Sequence, residues 1–320
     1  MHIGLAVHGT PFSMGLHPAS GRLAIRPLQL MDQARTAGLE GVELPIAMLQ
    51  GEDIDAIARY AIEQRLFITL ETEGYDPIRL QEAIALATQL GVRTIRTFAG
   101  GARLGGDRRP LAGRWQPFLQ TVLKGLQETM TVAEQAGINL TLENHQDLAS
   151  EELLWLCETI GSPYFGITLD TGSTLATVED PLDFVRKLIR YVKHVHLKDY
   201  QIYLSKEGYY LVRCSLGHGV IDFPSIFQML STHPDITMSI ELGALEARHV
   251  RMLSDDFWPE YPPRSAAQLA HNMHFILDHA QFSGDWRSPF EKKEPTEAII
   301  AYEQQQLTES LAYLHTLSQK

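Results

Sequence analysis

Eight short runs of β-branched and apolar residues recur along this chain, separated by stretches with helical patterning, and that alternation limits the fold more than any other feature. The runs are His2–His8, Gly41–Pro45, Leu66–Glu71, Thr94–Phe98, Ile138–Glu143, Phe165–Asp170, Val192–Lys198 and Ile236–Leu242. Between them lie helical patterns at Pro27–Ala37, Asp53–Gln64, Pro77–Leu90, Trp115–Ala136 and Pro181–Arg190. Proline opens several of these, and Gly38, Gly91 and Gly137 close three of them, as helix ends favour. Repeated strand and helix units build a parallel sheet, and eight of them predict a closed (β/α)8 barrel of the α/β class.

Side-chain parity tests this independently, because alternate residues of a strand point to opposite faces. Asn139, Thr141 and Glu143 share one parity, and Leu140 and Leu142 the other. Gly166, Thr168 and Asp170 alternate in the same way with Ile167 and Leu169, and Thr237, Ser239 and Glu241 with Met238, Ile240 and Leu242. Small or polar residues therefore line the barrel and aliphatic ones face the helices. His194, His196 and Lys198 line up inward on the seventh run, and His2, Gly4, Ala6 and His8 on the first.

With 320 residues, 44% of them hydrophobic, the chain has enough apolar material for one large domain, here residues 1–282 as the barrel and 283–320 as a helical extension. The stripe Ile299, Ile300, Tyr302, Leu307, Leu311, Leu314 and Leu317 predicts a helix over Glu294–Leu317, packed on the barrel or on a partner subunit. YQIYLSKEGYYLVR (200–213) predicts a β-hairpin inserted after the seventh strand as a lid. The net charge of -12 disfavours a nucleic-acid partner. The start MHIGLAVHG and the lack of any run near ~20 apolar residues predict a cytoplasmic protein without a membrane span. Cys157 and Cys214, without CxxC spacing, predict ordinary buried thiols.

Four runs carry a metal-binding residue at or within two positions of their ends: Glu143, Asp170, His196 and Glu241. Strand ends of such a barrel converge on one mouth, so these side chains are the candidate ligands of a single divalent cation. Carboxylates with one imidazole make a fairly hard, open site, which favours Mn2+, with Mg2+, Co2+ or Zn2+ as substitutes. A cation held this way takes two adjacent oxygens of an α-hydroxy ketone and steadies the charge left when the carbon between them loses a proton, which is enediolate chemistry. Glu143 and Glu241 are the candidate bases and acids, with His145 and Lys198 as further catalytic candidates. His8, Glu43, Arg96, Arg213 and Trp258 are assigned as candidate substrate contacts. Arg96 reads first as a structural ion pair with Glu71 across the barrel, and Lys198 has an equal claim to a salt bridge with a neighbouring carboxylate. GGARLGGDRRP (100–110) reads by default as a flexible exposed loop, with anion binding as its alternative. His271, His274 and His279 read as surface residues of a barrel helix.

The segments LENH (142–145), LDTGS (169–173), HVHLKD (194–199), LGHGVIDFP (216–224) and SIEL (239–242) resemble the xylose-isomerase-like TIM-barrel superfamily of sugar-phosphate isomerases and epimerases. The resemblance extends to the ketose 3-epimerase, hydroxypyruvate isomerase, inosose dehydratase and 3-dehydroshikimate dehydratase branch, to 3-oxo-isoapionate decarboxylases and to C-glycoside-cleaving α subunits. It implies Glu143, Asp170, His196 and Glu241 as ligands of one divalent metal, and Glu143 and Glu241 as the pair exchanging protons with opposite faces of the substrate. It also implies a homo-oligomer, dimer or tetramer, with room for a second subunit. Ser173 stands where members with several metals and ketose 3-epimerases commonly have histidine, which argues against a second ion. The expected activity is enolisation of a small polyhydroxylated keto sugar or keto sugar acid by an isomerase or epimerase. A lyase of the same superfamily is the alternative, and a non-catalytic sugar-binding subunit stands outside both.

Overall fold

The structure is a computed structural model that describes residues 2–233 and 235–318. The barrel strands are β1 (His2–Leu5), β2 (Gly41–Pro45), β3 (Phe67–Glu71), β4 (Thr94–Phe98), β5 (Asn139–Glu143), β6 (Phe165–Asp170) and β7 (Val192–Leu197), and the eighth is β10 (Thr237–Ile240). Between β7 and β10 the chain inserts β8 (Tyr200–Ser205) and β9 (Gly208–Arg213). The helices are α1 (Pro27–Thr36), α2 (Ile54–Gln64), α3 (Pro77–Leu90), α4 (Trp115–Ala136), α5 (Ser150–Ile160), α6 (Pro181–Leu188) and α7 (Phe223–Leu230). After the barrel come β11 (Arg248–Val250), α8 (Ala266–His279), β12 (Ala280–Gln281) and α9 (Thr296–Ser318).

Every barrel pairing is parallel and the sheet closes through β1 and β10, so the predicted (β/α)8 architecture is present. Aliphatic residues of the outward parity, among them Leu44, Leu70, Leu140, Leu142, Ile167, Leu169 and Val195, are fully buried against the helices. The helix signals worked as the sequence suggests. Asp76 and Asp180 cap α3 and α6 before a proline, while Gly91 and Gly137 end α3 and α4 in the left-handed conformation. The first strand is shorter than its apolar run, because Thr10 N–H turns back to the carbonyl of Val7 at 3.3 Å.

At the lower end of the barrel two inward positions must be glycine. A side chain on Gly4 or Gly41 would meet the ring of Phe67 at 2.7 and 2.3 Å respectively, so that ring plugs the floor. The inserted hairpin turns at Lys206 and Glu207 and grows into a four-stranded sheet, with β11 antiparallel to β9 and β12 beside β8. Cys157 and Cys214 are free and buried. No described helix is long and apolar enough to cross a membrane.

Helix α9 packs on the mouth-side loops of its own chain. Ile299 and Ile300 bury against Phe12 and Leu245, and Glu303 accepts the backbone N–H groups of Phe12 (3.2 Å) and Ser13 (2.7 Å). Ser310 accepts the N–H of Leu216 at 2.9 Å. The extension therefore flanks the open end of the barrel.

Candidate metal centre

Four side chains of the inward parity meet at the C-terminal ends of neighbouring strands. Glu143, Asp170, His196 and Glu241 each offer an atom within 4.8 Å of the others, and all four are buried. Their backbone is fixed locally. Asn144 clamps Asp170 by accepting its N–H at 2.7 Å and donating to its carbonyl at 2.9 Å, which gives the LEN and LD segments one shared purpose. Oδ1 of Asp170 accepts the N–H groups of Gly172 and Ser173, both at 3.0 Å, leaving Oδ2 for the centre. Asp199, next to Lys198, accepts N–H groups from Tyr200, Gly217, Gly219 and Ile221. A Cβ on Gly219 would sit 2.2 Å from that carboxylate, so LGHG needs glycine there.

Nδ1 of His196 lies 3.1 Å from Glu143 Oε1 and 2.7 Å from Glu241 Oε2, while Nε2 lies 2.8 Å from Glu43 Oε2. One proton on Nδ1 cannot serve two carboxylates. With the Nε2 proton given to Glu43, Nδ1 turns a lone pair toward them, and Oε2 of both Glu143 and Glu241 is buried without a hydrogen-bond donor. Converging lone pairs of this kind fit a divalent cation. A second triplet, Glu43, His194 and His196, also lies close together. There both imidazoles reach Glu43 Oε2, and His194 Nδ1 pairs with Thr237 Oγ1 at 2.7 Å. No atom of that triplet is orphaned, so it is a hydrogen-bond network beneath the centre.

Charges around the centre are paired at short range. Lys198 Nζ sits 2.5 Å from Asp170 Oδ2 and 2.8 Å from Glu241 Oε1. Burial pulls its ammonium toward neutrality, but the two carboxylates outweigh burial and hold its pKa well above the ordinary value. Burial opposes charge on His196 too, and Glu43, Glu143 and Glu241 raise it well above the usual imidazole range, so a cation at Nδ1 would take the place of a proton there. Glu143 goes the other way, to about 2, because Arg96 and His196 overcome its burial. Arg96 itself reaches Glu43 at 3.2 Å, Glu71 at 3.3 Å and Glu143 at 3.3 Å.

The structure thus gathers Glu143, Asp170, His196, Glu241 and Lys198 at one point. Glu43, expected at the second mouth as a substrate contact, is instead fully buried a layer lower, its oxygens taken by Arg96, His194 and His196. Arg96 is buried in ion pairs, which leaves it no exposed face for a ligand. His8, 44% exposed, leans on Glu71 at 2.6 Å near the opening. His145 packs its ring against Phe98, centroids 4.7 Å apart. Arg213 is buried between Gly243 and Gln306. Trp258 donates to the carbonyl of Met252 at 2.7 Å and packs beside Phe257 and Tyr261, ordering the loop after the eighth barrel strand.

The loop at 100–110 corrects an expectation. Arg108 is buried, sandwiched between Trp115 (3.9 Å) and Tyr261 (3.7 Å), and paired with Glu152 at 2.6 Å. Its carboxylate partner and two ring faces turn a supposedly free loop into a fastener. His271 and His274 are exposed and paired with Asp183 and Asp278. Sequence reasoning missed the role of Glu43, although its inward parity and the doubled histidines of HVH were the available signal.

Comparison with known proteins agrees with this fold. Residues 31–244 match the family described as xylose isomerase-like TIM barrel. The uncharacterized protein YihM of Escherichia coli K12 is 26% identical over 270 residues, 79% of each chain. The 3-oxo-isoapionate decarboxylase of Pectobacterium atrosepticum is 25% identical over 187 residues, 58% of this chain and 64% of that enzyme, less than two thirds of its length. Among solved structures, a D-tagatose 3-epimerase-like protein superposes with a TM-score of 0.58 at 18% identity, over 87% of this chain and 99% of its own. That likeness carries the fold.

Proposed function

Because the chain belongs to the xylose isomerase-like TIM-barrel family, we propose that it is a divalent-metal-dependent enzyme that moves a proton at the carbon beside the ketone of a small polyhydroxylated keto compound, as an isomerase or epimerase. The observation that carries this reading is the convergence of Glu143, Asp170, His196 and Glu241, with Glu143 Oε1 and Glu241 Oε2 both aimed at Nδ1 of His196. These four residues would hold the ion, Mn2+ first among Mg2+, Co2+ and Zn2+. A cation there supplies a Lewis acid that polarises the substrate's oxygens.

The chain's own residues do the rest. Glu143 and Glu241 approach His196 Nδ1 from two strands, so one takes the proton and the other returns it. Lys198, paired to Glu241 at 2.8 Å, keeps that carboxylate ionised against its burial. Glu43 orients His196, and Arg96 keeps Glu143 ionised. His145 serves at the rim as an additional acid or base, and His8, Arg213 and Trp258 bound the substrate.

The test is to incubate the Mn2+-loaded protein in D2O with ketoses, 3-keto sugars and branched keto acids and follow the proton NMR spectrum. Deuterium entering beside the ketone, with a new ketose or epimer, is the expected result. The second reading is a lyase, favoured by the likeness to a decarboxylase; loss of a carboxylate or hydroxyl in the same tubes would select it. Bound metal without exchange across the panel would overturn both in favour of a sugar-binding role.

A further inference from the structure

The inner face of the inserted sheet is apolar except at one corner. Tyr200, Ile202, Tyr209, Leu211 and Val250 are buried there, and Arg213 and Arg248 interrupt them as diagonal neighbours, since Tyr200 pairs with Arg213 and Leu211 with Arg248. The corner adjoins the metal centre. A Cβ on Gly243 would lie 3.2 Å from Lys198 Cε and 3.3 Å from the Tyr200 hydroxyl, and Arg213 Nη1 donates to the Gly243 carbonyl at 2.9 Å. Lys198 in turn touches Asp170 and Glu241.

Arg213, which is buried, and Arg248, which is half-buried, differ from Arg96, Arg108 and Arg264. Arg96 has three glutamates, Arg108 has Glu152, and Arg264 has Glu179 at 3.3 Å. Among the described residues neither Arg213 nor Arg248 has a carboxylate within ion-pair distance, and each, like Arg264, keeps a buried donor with no acceptor: Nη2 of Arg213 and Nε of Arg248. A cation buried as Arg213 is, with no counter-ion in contact, costs several kcal/mol, and an acidic chain has carboxylates to spare. Burial depresses the Arg213 guanidinium below its ordinary value for the same reason.

We propose that Arg213 and Arg248 seat the carboxylate of the substrate, so that the compound processed at the mouth is a keto sugar acid. The proposal rests on the reading of the mouth as an enolising site. Two orphaned donors match the two oxygens of a carboxylate, whereas a phosphoryl group brings a third oxygen that Lys198, already committed to Asp170 and Glu241, does not meet.

Isothermal titration of the Mn2+-loaded chain with D-gluconate, with D-sorbitol and with inorganic phosphate tests this. Gluconate should bind at least about tenfold tighter than sorbitol, the size expected for hydrogen bonds to a charged group. Arg248→Gln should lose about tenfold of the gluconate affinity and leave sorbitol unchanged, and Arg213→Lys should lose part of it, with circular dichroism checking the fold of each variant. Gluconate no tighter than sorbitol, both undetectable, or Arg248→Gln binding gluconate like the wild type would overturn the seat. Phosphate tighter than gluconate would overturn the carboxylate assignment. Metal content and D2O exchange run on the same preparations separate the two claims: exchange with neutral ketoses alone defeats the seat, and gluconate selectivity without exchange defeats the enolising reading.

Discussion

The two ends of this barrel invite opposite conclusions about where the chemistry lies. The lower end opens into a cavity of about 1090 Å³ lined by Phe67, Thr94, Asn139, Lys193, His233 and Thr237 among others. The upper end is crowded, with Glu43, Glu71, Glu143, Asp170 and Glu241 packed against Arg96, Lys198 and two histidines. Empty space open to water costs a fold little, whereas gathering buried carboxylates costs a great deal and persists only where something requires it. The crowded end is therefore the informative one, as it is in barrels of this kind generally.

The comparison can be broken most sharply at the centre itself. Glu143→Gln should lower deuterium exchange into substrate by about 10⁴-fold, the upper range for removing a general base, while sugar binding by titration survives. At the rim, Arg108→Met strands Glu152 in the interior between Trp115 and Tyr261 and should cost about 3–5 kcal/mol of stability in urea unfolding. One layer below the centre, Glu43→Gln removes the negative charge that aims His196 Nε2 and should weaken metal binding about 10–100-fold by calorimetry. The smallest effect belongs to the other end. Arg93→Ala in the lower cavity should move stability by no more than about 0.5 kcal/mol and leave exchange within experimental error; a large loss there would reverse the reading of the two ends.

Which of these features the sequence disclosed follows from the range of the interactions involved. Alternation of Thr141 and Glu143 with Leu142, or Thr168 and Asp170 with Leu169, is a period-two signal that survives in the bare sequence, and it placed four side chains at one mouth. The 142–145 and 194–199 segments carried the rest, because each writes a ligand and its local clamp side by side. Glu43 escaped because its partners are 151 and 153 residues away, and no local pattern marks a contact of that span. Arg108 escaped for the same reason: its loop is rich in glycine and charge, and only the distant Glu152 and Tyr261 explain its burial. The amphipathic stripe of α9 announced that one face would be covered, but a stripe does not say by what. Strands β11 and β12, with three residues and two, are too short to show any period.

The tether between α9 and the mouth has a consequence for the order of events during synthesis. All eight barrel strands are made by residue 240, so the barrel can close on the emerging chain well before residues 299–310 exist. Until Glu303 captures the N–H groups of Phe12 and Ser13, and Gln306 meets Arg213 at 2.7 Å, the loop after the first strand and the Arg213 corner of the inserted sheet lack these three contacts. The rim therefore takes its last fixed contacts from the part of the chain made after all the barrel strands.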